Sequence, residues 1–393
     1  MSIIETAVAL CAVGAEKTVS NELRKLGLKI IEGGFGRIRF RADIPGLYRS
    51  LMALRAADKV LLELAWFQAR DFDALFEGVR CQPWEDYVPP DMGLRVAKVR
   101  TNRSVLKAET SIQAVVHKAA AERLCEKRRI RRLQEHGEEA ELRVYIEKDQ
   151  VSVLLDLSGE PLFKRGYRTV GGPAPLRETS AAAIILGSGW RRKFPLYDPF
   201  CGSGTIAVEA AMYAWDMAPG MGRRFALEQL LLADKSIERE VREELLSKVD
   251  FSRQVRIGGS DADAASVAAA KANMGRAIAL VGGGETNGVH VEPPAFRVIS
   301  MEQASNPFAP ETPAEPEGFI ITNPPYGQRL GDAESAEKNY AEMGCLARNF
   351  SGWKLAVITD HPGFESFFGK KADSCREITN GAIRSYLYQY EKL

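Results

Sequence analysis

The tetrapeptide Asn323-Pro324-Pro325-Tyr326 follows an apolar run at 318–322 that is typical of a buried strand. Two successive prolines lack backbone donors and fix their own φ angles, so a strand must end here. Because Asn323 precedes a proline, it is extended, and its side-chain oxygen and the Pro324 carbonyl can face one small volume. These two oxygens suit a planar NH2 group, with Tyr326 as a stacking ring. The alternative interpretation is a simple strand-terminating turn.

A second motif lies upstream, where a predicted strand at 194–198 runs into a glycine loop at 199–205 and then into the helical run IAVEAAMYAW. This arrangement turns backbone amides and a helix N-terminus toward an anion, and glycines let a ligand approach the backbone closely. The full GxGxxG dinucleotide pattern is absent. Asp198, at the strand end, would repel pyrophosphate but attract an ammonium. The methionine part of S-adenosylmethionine carries both a carboxylate and an ammonium, and so uses both features.

A second predicted strand that ends in an acidic residue lies at 254–261 (QVRIGGSD), ahead of the helical run AASVAAAKANMGRA. An acidic residue that closes the second strand of a nucleotide-binding sheet accepts hydrogen bonds from ribose hydroxyls. Asp261 is therefore the predicted ribose ligand. Its alternative role is to cap the next helix, which Asp263 would perform equally well.

Length and composition limit the class of protein. The 393 residues exceed the usual size of one core, which predicts two or three domains. The chain carries 53 basic and 52 acidic residues, with the slight basic excess in residues 1–170, where 29 basic face 24 acidic residues. Six scattered cysteines without a CxxC pair argue against a disulfide framework or a zinc site. Without a signal-peptide pattern or a membrane-spanning stretch, the chain is expected to be cytoplasmic, with no membrane partner and no metal.

The chain order of the predicted elements indicates three units. The order β-α-β-β-α-β over residues 6–66 is that of a ferredoxin-like unit, with a hairpin turn at Gly33-Gly34. A second small unit begins at Asp71 and contains a long helix predicted over 111–133. The glycine- and proline-rich stretch 158–175 marks the main boundary. Alternating helices and strands over 176–393 then predict an α/β layered domain.

Two groups of cations are candidates for contact with nucleic acid. Residues 127–132 (KRRIRR) place five cations in six positions at the end of the predicted long helix, which suits a phosphate-binding face. The alternative is a solvated helix end whose cations complement the macrodipole. Lys164, Arg165 and Arg168 lie in the flexible-looking linker beside Tyr167, a combination that suits contact with a nucleic-acid backbone.

Five segments together resemble a known family: LDLSGEPLFKRGYR (155–168), APLRETSAAAIILGSGW (174–190), DPFCGSGTIAVEAA (198–211), GSDAD (259–263) and ITNPPYGQRL (321–330). The chain resembles the class I S-adenosylmethionine-dependent methyltransferases that act on exocyclic amines. More closely, it is similar to the THUMP-domain RNA methyltransferases of the large-subunit (23S) ribosomal RNA guanine-N2 type. These segments cover the second half of the chain and its linker.

The resemblance implies a ferredoxin-like domain at 1–68, a THUMP RNA-binding domain at 69–160, a linker at 161–175 and a Rossmann-like α/β methyltransferase domain at 176–393. It implies S-adenosylmethionine as cofactor and ribosomal or transfer RNA as substrate. The residues implied at the target base are Asn323, Pro324, Pro325 and Tyr326. Those implied at the cofactor are Thr179, Asp198, Pro199, Phe200, Cys201, Gly202, Ser203, Gly204, Thr205, Asp261 and Asn323. The RNA-binding candidates are Lys127, Arg128, Arg129, Arg131, Arg132, Lys164, Arg165 and Arg168.

The chain departs from the family pattern at Ser300, where an acidic contact to the adenine is expected; Glu302 is the candidate substitute. Other functions remain open, because the NPPY motif fits any planar NH2. Methylation of an adenine amine in RNA or DNA, or of a glutamine amide in a protein, is an enzymatic alternative, and the basic N-terminal part favours nucleic acid. An RNA-binding assembly factor is the non-enzymatic alternative, against which the intact Asp198, Asp261 and Asn323 count.

Overall fold

The computed structural model describes residues 4–134, 137–168, 176–282, 291–308, 318–325, 332–380 and 383–393. Within these ranges the strands form two seven-stranded sheets, one in each half of the chain. Tyr326, predicted to stack on the target base, lies outside the described residues. None of the helices in these ranges is long and apolar enough to cross a membrane.

The N-terminal sheet has the strand order β2-β3-β1-β4-β7-β6-β5. Its strands are β1 (Glu5–Cys11), β2 (Lys29–Gly34), β3 (Arg37–Ala42), β4 (Ala57–Gln68), β5 (Gly93–Asn102), β6 (Glu139–Glu147) and β7 (Gln150–Asp156). Its helices are α1 (Glu16–Lys25), α2 (Ile44–Ala53), α3 (Phe72–Arg80) and α4 (Glu109–Arg128). Neighbouring strands are antiparallel except for β5 and β6, which are parallel.

The elements β1 to β4 have the predicted β-α-β-β-α-β order and the β2-β3-β1-β4 arrangement of a ferredoxin-like unit. The hairpin between β2 and β3 forms as predicted, but its turn is Phe35-Gly36, and both predicted turn glycines lie inside β2. Gly36 has a φ of +66°, a conformation that glycine adopts without a steric penalty. The turn therefore forms at Gly36, where glycine allows the left-handed backbone conformation.

The second unit extends the same sheet. Strand β4 pairs with β1 on one side and with β7 on the other, so the predicted division at residue 68 falls at the end of a strand that both units share. Helix α4 is shorter than predicted: it ends at Arg128, and Arg129 adopts a left-handed conformation with a φ of 55°. Most of the basic segment therefore follows the helix.

The C-terminal sheet has the order β10-β9-β8-β11-β12-β14-β13. Its strands are β8 (Leu196–Asp198), β9 (Ile257–Asp261), β10 (Ala295–Val298), β11 (Phe319–Thr322), β12 (Lys354–Thr359), β13 (Ser374–Asn380) and β14 (Ile383–Tyr390). The helices are α5 (Glu178–Gly187), α6 (Thr205–Ala214), α7 (Lys235–Leu246), α8 (Ala264–Ala279), α9 (Asp332–Glu342), α10 (Leu346–Asn349) and α11 (Phe364–Phe368). The strands β8 to β12 are parallel, and β14 runs antiparallel to both of its neighbours.

This half confirms the predicted Rossmann-like α/β layering. All four residues of β11 are buried, as expected for a strand covered on both faces. Helix α5 was not predicted from periodicity, because its residues 178–185 are buried on every side and show no polar stripe. Strand β13 was also not predicted.

Arg55, in the loop between α2 and β4, ties the two halves together. Its buried guanidinium donates hydrogen bonds to the backbone carbonyls of Met217 (2.7 Å) and Met212 (3.4 Å). Its backbone N–H donates to the Glu22 carboxylate at 2.9 Å, and its carbonyl accepts a hydrogen bond from Arg165. One continuous hydrophobic core runs through both halves. Arg55 is therefore a buried cation that depends on partners from both.

The Arg55→Ala substitution should lower the free energy of unfolding by about 3 to 5 kcal/mol, because it leaves buried carbonyls and carboxylates without their cation. Equilibrium urea unfolding measures this change. The matched control is Arg49→Ala, which breaks a half-exposed ion pair with Glu244 between the same two halves and should change stability by about 0 to 1 kcal/mol. Equal effects of the two substitutions would show that Arg55 does not have the role described.

Candidate functional site

The strand order of the C-terminal sheet reverses between β8 and β11. Strands β8, β9 and β10 follow one another toward one edge, whereas β11 and β12 extend toward the other. In open parallel sheets, ligands bind at the carboxyl ends of the strands beside such a reversal. Asp198 ends β8, Asp261 ends β9 and Asn323 follows β11. The structure therefore brings these three predicted residues to one crevice.

Asp198 is a buried carboxyl group with an exposed fraction of 1%. It accepts hydrogen bonds from the Thr322 hydroxyl (2.6 Å) and from the Phe200 backbone N–H (3.1 Å). Burial raises the pKa of Asp198 to about 7; the two hydrogen bonds oppose the rise, and the nearby Asp261 charge adds to it. Within the described residues, Asp198 forms no ion pair with lysine or arginine. An ammonium from a ligand would supply the missing cation.

The glycine loop between β8 and α6 is shaped by two left-handed residues. Gly202 has a φ of +49° and Gly204 a φ of +81°. A Cβ built on Gly204 would lie 2.8 Å from the Cβ of Ala270, whereas one built on Gly202 meets no atom within 4 Å. Gly204 is therefore required for packing of α6 against α8. The open side at Gly202 leaves room for a ligand close to the backbone.

Asp261 is held by its own surroundings. One of its carboxylate oxygens accepts a hydrogen bond from the Gly202 backbone N–H at 2.9 Å, and the other accepts from the Asp263 N–H at 3.0 Å. Asp263, not Asp261, caps α8, because its side chain accepts from the N–H groups of Ala265 and Ser266. Each Asp261 oxygen keeps a free acceptor site, so the predicted ribose contact is compatible with these bonds.

Asn273, on α8, fixes the loop from behind and was not predicted. Its side-chain amide donates to the Ser203 carbonyl at 2.8 Å, and its oxygen accepts from the Arg276 guanidinium at 2.6 Å. Arg276 also donates to the Tyr167 carbonyl at 2.7 Å. The one sequence feature that could have indicated this role is an asparagine in an alanine-rich helix.

The glycine loop also contains Cys201, which is buried. Burial raises the pKa of its thiol, and its backbone N–H donates a hydrogen bond to the Ser260 carbonyl.

The corner after β11 presents an unpaired acceptor. The side-chain oxygen of Asn323 is inaccessible to solvent and has no hydrogen-bond partner among the described residues. Thr322, the residue before it, donates to Asp198. Pro324 and Pro325 continue outside any helix or strand, as the two prolines predict. A buried oxygen without a partner among the described residues makes Asn323 a candidate acceptor for a donor from outside the protein.

Two predicted site residues, Thr179 and Arg168, form other contacts. Thr179, a predicted cofactor residue, is buried on α5 and its hydroxyl donates to Asp58 of the N-terminal domain at 2.5 Å. Arg168, a predicted RNA contact, is mostly buried and bonds to the Thr205 hydroxyl and, at 3.0 Å, to the Leu176 carbonyl. Arg168 therefore braces the start of α6. Its assignment to RNA is corrected, because its guanidinium is turned into the protein.

The assignment of Arg165 to RNA is also wrong. Only 2% of Arg165 is exposed, and its guanidinium faces the buried carboxylate of Glu209 on α6 at 3.4 Å. The Tyr167 hydroxyl donates to the same carboxylate at 3.1 Å. The sequence of this linker suggested that its cations lie on the surface, but two of them donate hydrogen bonds to buried acceptors. Lys164 alone of the three is exposed, and it pairs with Glu160.

The basic segment after α4 is largely on the surface. Lys127, Arg129, Arg131 and Arg132 are exposed, whereas Arg128 is half-buried and donates to the Val88 carbonyl at 2.5 Å. Arg128 therefore holds the helix end against the domain. The exposed members stay candidates for phosphate contact.

Ser300 and Glu302 lie just beyond β10, on the Asp261 side of the crevice, where Ile299 donates to the Asp261 carbonyl at 3.1 Å. A hydrogen bond from the Ser300 side chain lowers the pKa of the exposed Glu302 carboxyl. Glu302 is therefore an ionised acceptor two residues past the position at which an acid was expected.

These residues fit the predicted cofactor. The crevice has a buried carboxyl group without a cation, an open glycine loop and a second carboxylate with free acceptor sites. Together they match the ammonium, the carboxylate and the ribose of S-adenosylmethionine. In the described ranges no group of three histidine, cysteine or acidic side chains is arranged to bind a metal ion.

Two family models match the chain. Residues 165–389 match the family described as RMKL-like, methyltransferase domain, and residues 6–61 match the RlmL ferredoxin-like domain. The matches cover the C-terminal sheet with its crevice and the first unit of the N-terminal sheet.

Two named relatives are similar over almost the whole chain. "Putative RNA methyltransferase YpsC" of Bacillus subtilis (strain 168) is 33% identical over 387 residues, which cover 98% of this chain and 95% of the relative. "Ribosomal RNA large subunit methyltransferase K/L" of Cellvibrio japonicus (strain Ueda107) is 33% identical over 396 residues, or 97% of this chain. This chain spans only about half of that longer relative, 50% of its length.

Two solved structures are also similar along the whole chain. The crystal structure of SMU.472 complexed with SAH has a TM-score of 0.85 and 35% identity, and covers 100% of this chain and 99% of that one. The "predicted N6-adenine-specific DNA methylase" from Listeria monocytogenes str. 4b F2365 has a TM-score of 0.86 and 36% identity, with coverage of 99% and 96%. SAH is the product that S-adenosylmethionine leaves after giving up its methyl group.

The fold and the crevice define a class I methyltransferase whose cofactor is S-adenosylmethionine. Within that class, the chain belongs to the RMKL-like methyltransferase family, with the RlmL-type ferredoxin-like domain at its N-terminus.

The affinity for SAH should depend on pH through Asp198. Because the ligand ammonium pairs with the ionised carboxylate, affinity should fall about tenfold per pH unit below the pKa of about 7. The folded pKa lies above the unfolded one, so the cofactor-free protein should lose stability as pH rises from about 4 through 7. Calorimetric titration with SAH and urea unfolding across this range measure both effects.

Asp198→Asn should remove both pH dependences and weaken SAH binding. Asp263→Asn, which changes the exposed carboxylate that caps α8, is the control and should retain them. An SAH affinity that stays constant in the unsubstituted protein between about pH 8 and about pH 5.5 would contradict the pairing.

Proposed function

We propose that this chain transfers the methyl group of S-adenosylmethionine to the exocyclic N2 amine of a guanine in RNA, with 23S ribosomal RNA as the substrate. The observation that carries the proposal is the solvent-inaccessible side-chain oxygen of Asn323, which has no hydrogen-bond partner among the described residues. It belongs to the residue directly after Thr322, whose hydroxyl bonds to Asp198. An acceptor for an NH2 group therefore adjoins the residue that would hold the cofactor's ammonium.

When bound, the cofactor supplies an electrophilic methyl group. The guanine amine is a weak nucleophile, because its lone pair is delocalised into the ring. The Asn323 oxygen and the Pro324 carbonyl accept its two N–H groups, which favours a pyramidal nitrogen with a directed lone pair. Holding the reactants about 3 to 3.5 Å apart then supplies much of the rate. The chain needs no strong base, because the methylated ammonium is acidic and loses its proton readily.

Several features favour RNA as the substrate. The ribosomal RNA methyltransferase K/L relative is named for that activity, although this chain matches only half of its length. The N-terminal sheet and the exposed cations after α4 provide a surface beside the catalytic domain for a polyanion. The target base must leave its stack to reach the crevice, and Tyr326 is proposed to stack on it.

An adenine-N6 methyltransferase is the second candidate. Asn323 and Pro324 recognise an NH2 group and do not distinguish guanine from adenine. A structural relative is named as an N6-adenine-specific DNA methylase. Transfer RNA is the alternative RNA class. A non-enzymatic assembly factor would not need the cation-free Asp198 or the open glycine loop, and both are present.

The Asn323→Ala substitution should lower the rate of methyl transfer to 23S ribosomal RNA by about 100- to 1,000-fold, because one acceptor that orients the amine is lost. SAH affinity should change little, since Asp198 and the glycine loop are untouched. Single-turnover transfer of a labelled methyl group measures the first quantity, and calorimetry the second.

The matched control is Asn306→Ala, which removes an exposed asparagine whose side-chain oxygen accepts a hydrogen bond from the nearby Phe308 N–H. It should leave both the transfer rate and SAH affinity unchanged. Near-normal transfer by Asn323→Ala would contradict the role given to this side chain. Transfer to adenine would support the second candidate instead.

The exposed cations after α4 are proposed to contact phosphates. Replacing Lys127, Arg129 and Arg131 with alanine should weaken RNA affinity and reduce the slope of log affinity against log salt by about 2 to 3, roughly 0.9 per lost contact. Fluorescence anisotropy at several salt concentrations measures the slope. The control replaces three exposed cations in and just after α7, Lys235, Arg239 and Lys248. An equal slope for the two triple variants would support the alternative interpretation, in which the segment is a solvated helix end without phosphate contacts.

A further inference from the structure

The face of the N-terminal sheet opposite the main core carries a cavity of about 300 Å³. This volume is at the small end of the range for small-ligand sites, about 300 to 1,000 Å³. The cavity floor is apolar, because Val8 and Leu154 pack there with Leu61 in a cluster separate from the main core. Aromatic and charged side chains form its rim. The cavity lies in the domain that precedes the methyltransferase fold and is not part of the crevice.

Two aromatic residues line this cavity on either side of one small residue. Trp66 on β4 pairs with Ser152 on β7, and Tyr145 on β6 pairs with the same Ser152 from the other side. Paired residues point to the same face of a sheet, so both rings flank one small side chain. The backbones of Trp66 and Tyr145 stand two strand spacings apart, roughly 10 Å. A planar ring stacked between two others needs roughly 7 to 8 Å, or two contacts of about 3.5 to 4 Å.

Arginines hold both rings in place. The Arg39 guanidinium lies 3.9 Å from the centre of the Trp66 ring, and two hydrogen bonds of 2.9 and 2.5 Å fix it to Glu63. The Glu63 side chain is only 5% exposed, so this support is built into the sheet. Arg37 lies 4.8 Å from the centre of the Tyr145 ring and pairs with Glu147 at 2.8 Å. Even so, Trp66 remains 48% exposed.

We propose that the slot between Trp66 and Tyr145 binds one unpaired nucleotide of an RNA strand, with its base stacked between the two rings. Every base has a π face, so such a slot accepts any sequence. Open sheets of ferredoxin-like order that carry aromatic side chains are a general means of stacking single-stranded bases. Arg37, Arg39 and Lys148 also line the cavity, so cations lie beside the position proposed for the base, where phosphates of the strand would pass.

The slot gives the enzyme a second hold on its substrate, away from the crevice. A single-stranded segment anchored here would restrict the part of the RNA that reaches Asn323. The inference rests on the proposed function only in taking RNA as the substrate. It does not depend on which base is methylated.

The test uses the full chain and a hexa-adenylate RNA labelled with fluorescein at its 5′ end. Trp66→Ala and Tyr145→Ala should each weaken binding by about 5- to 100-fold, as expected when one stacking partner of a base is lost. Trp66→Phe and Tyr145→Phe should restore most of the affinity. Phe35→Ala is the control, because Phe35 is 80% exposed on the β2–β3 turn and does not line the slot.

Since neither ring is charged, the loss should be the same at low and high salt, with an unchanged slope. SAH affinity measured by calorimetry should also be unchanged, which verifies that each variant is folded. If Trp66→Ala does not fold, Trp66→Leu carries the same test. Equal hexa-adenylate affinity of the unsubstituted protein and the folded Trp66 and Tyr145 variants would overturn the proposal.

The slot and the proposed reaction can fail separately. If hexa-adenylate binding depends on both rings but no guanine is methylated, the slot stands and the guanine assignment falls. If guanine in RNA is methylated while hexa-adenylate binding ignores both rings, the slot falls and the reaction stands.

Discussion

The hydrogen bond from Thr322 to Asp198 is the contact on which the site depends. It joins the end of β11 to the end of β8 across the reversal of the sheet, with an O–O distance of 2.6 Å. Burial raises the pKa of Asp198 to about 7, and no lysine or arginine of the described ranges pairs with it; the ammonium of the cofactor is proposed to be its partner. Because Asn323 directly follows Thr322, the same bond sets the amine acceptor relative to the proposed ammonium position. In the proposed reaction, cofactor and target base would therefore meet at one pair of strand ends.

The N-terminal half and the linker contact α6, the helix that follows the glycine loop after β8. Helix α6 starts at Thr205, directly after the glycine loop, and Arg168 bonds to that threonine. Farther along α6, Glu209 faces Arg165, and the Met212 carbonyl accepts from Arg55. The ferredoxin-like domain and the linker therefore hold the helix whose N-terminus borders the cofactor site. This arrangement explains why the linker contains buried arginines.

The sequence allowed the crevice to be predicted because strand ends carry their own signals. Parallel strands stop at the same edge, so Asp198, Asp261 and Asn323 could be brought together without knowing any long-range contact. Arg165 and Arg168 were misassigned because a cation in a glycine-rich linker looks the same whether it meets solvent or a buried carboxylate such as Glu209. Asn273 was missed for a similar reason, since its partner is a backbone carbonyl 70 residues away. The slot at Trp66 and Tyr145 requires the register of three strands, which no local pattern supplies.

The central claim is that the crevice methylates the N2 amine of guanine in ribosomal RNA. Nucleoside mass spectrometry of 23S ribosomal RNA and transfer RNA, taken from a strain with this gene deleted and from its parent, tests it most directly. The account predicts that N2-methylguanosine is lost from the 23S fraction and returns when the intact gene, but not the Asn323→Ala variant, is restored. Unchanged N2-methylguanosine in both fractions, together with loss of N6-methyladenosine, would contradict it.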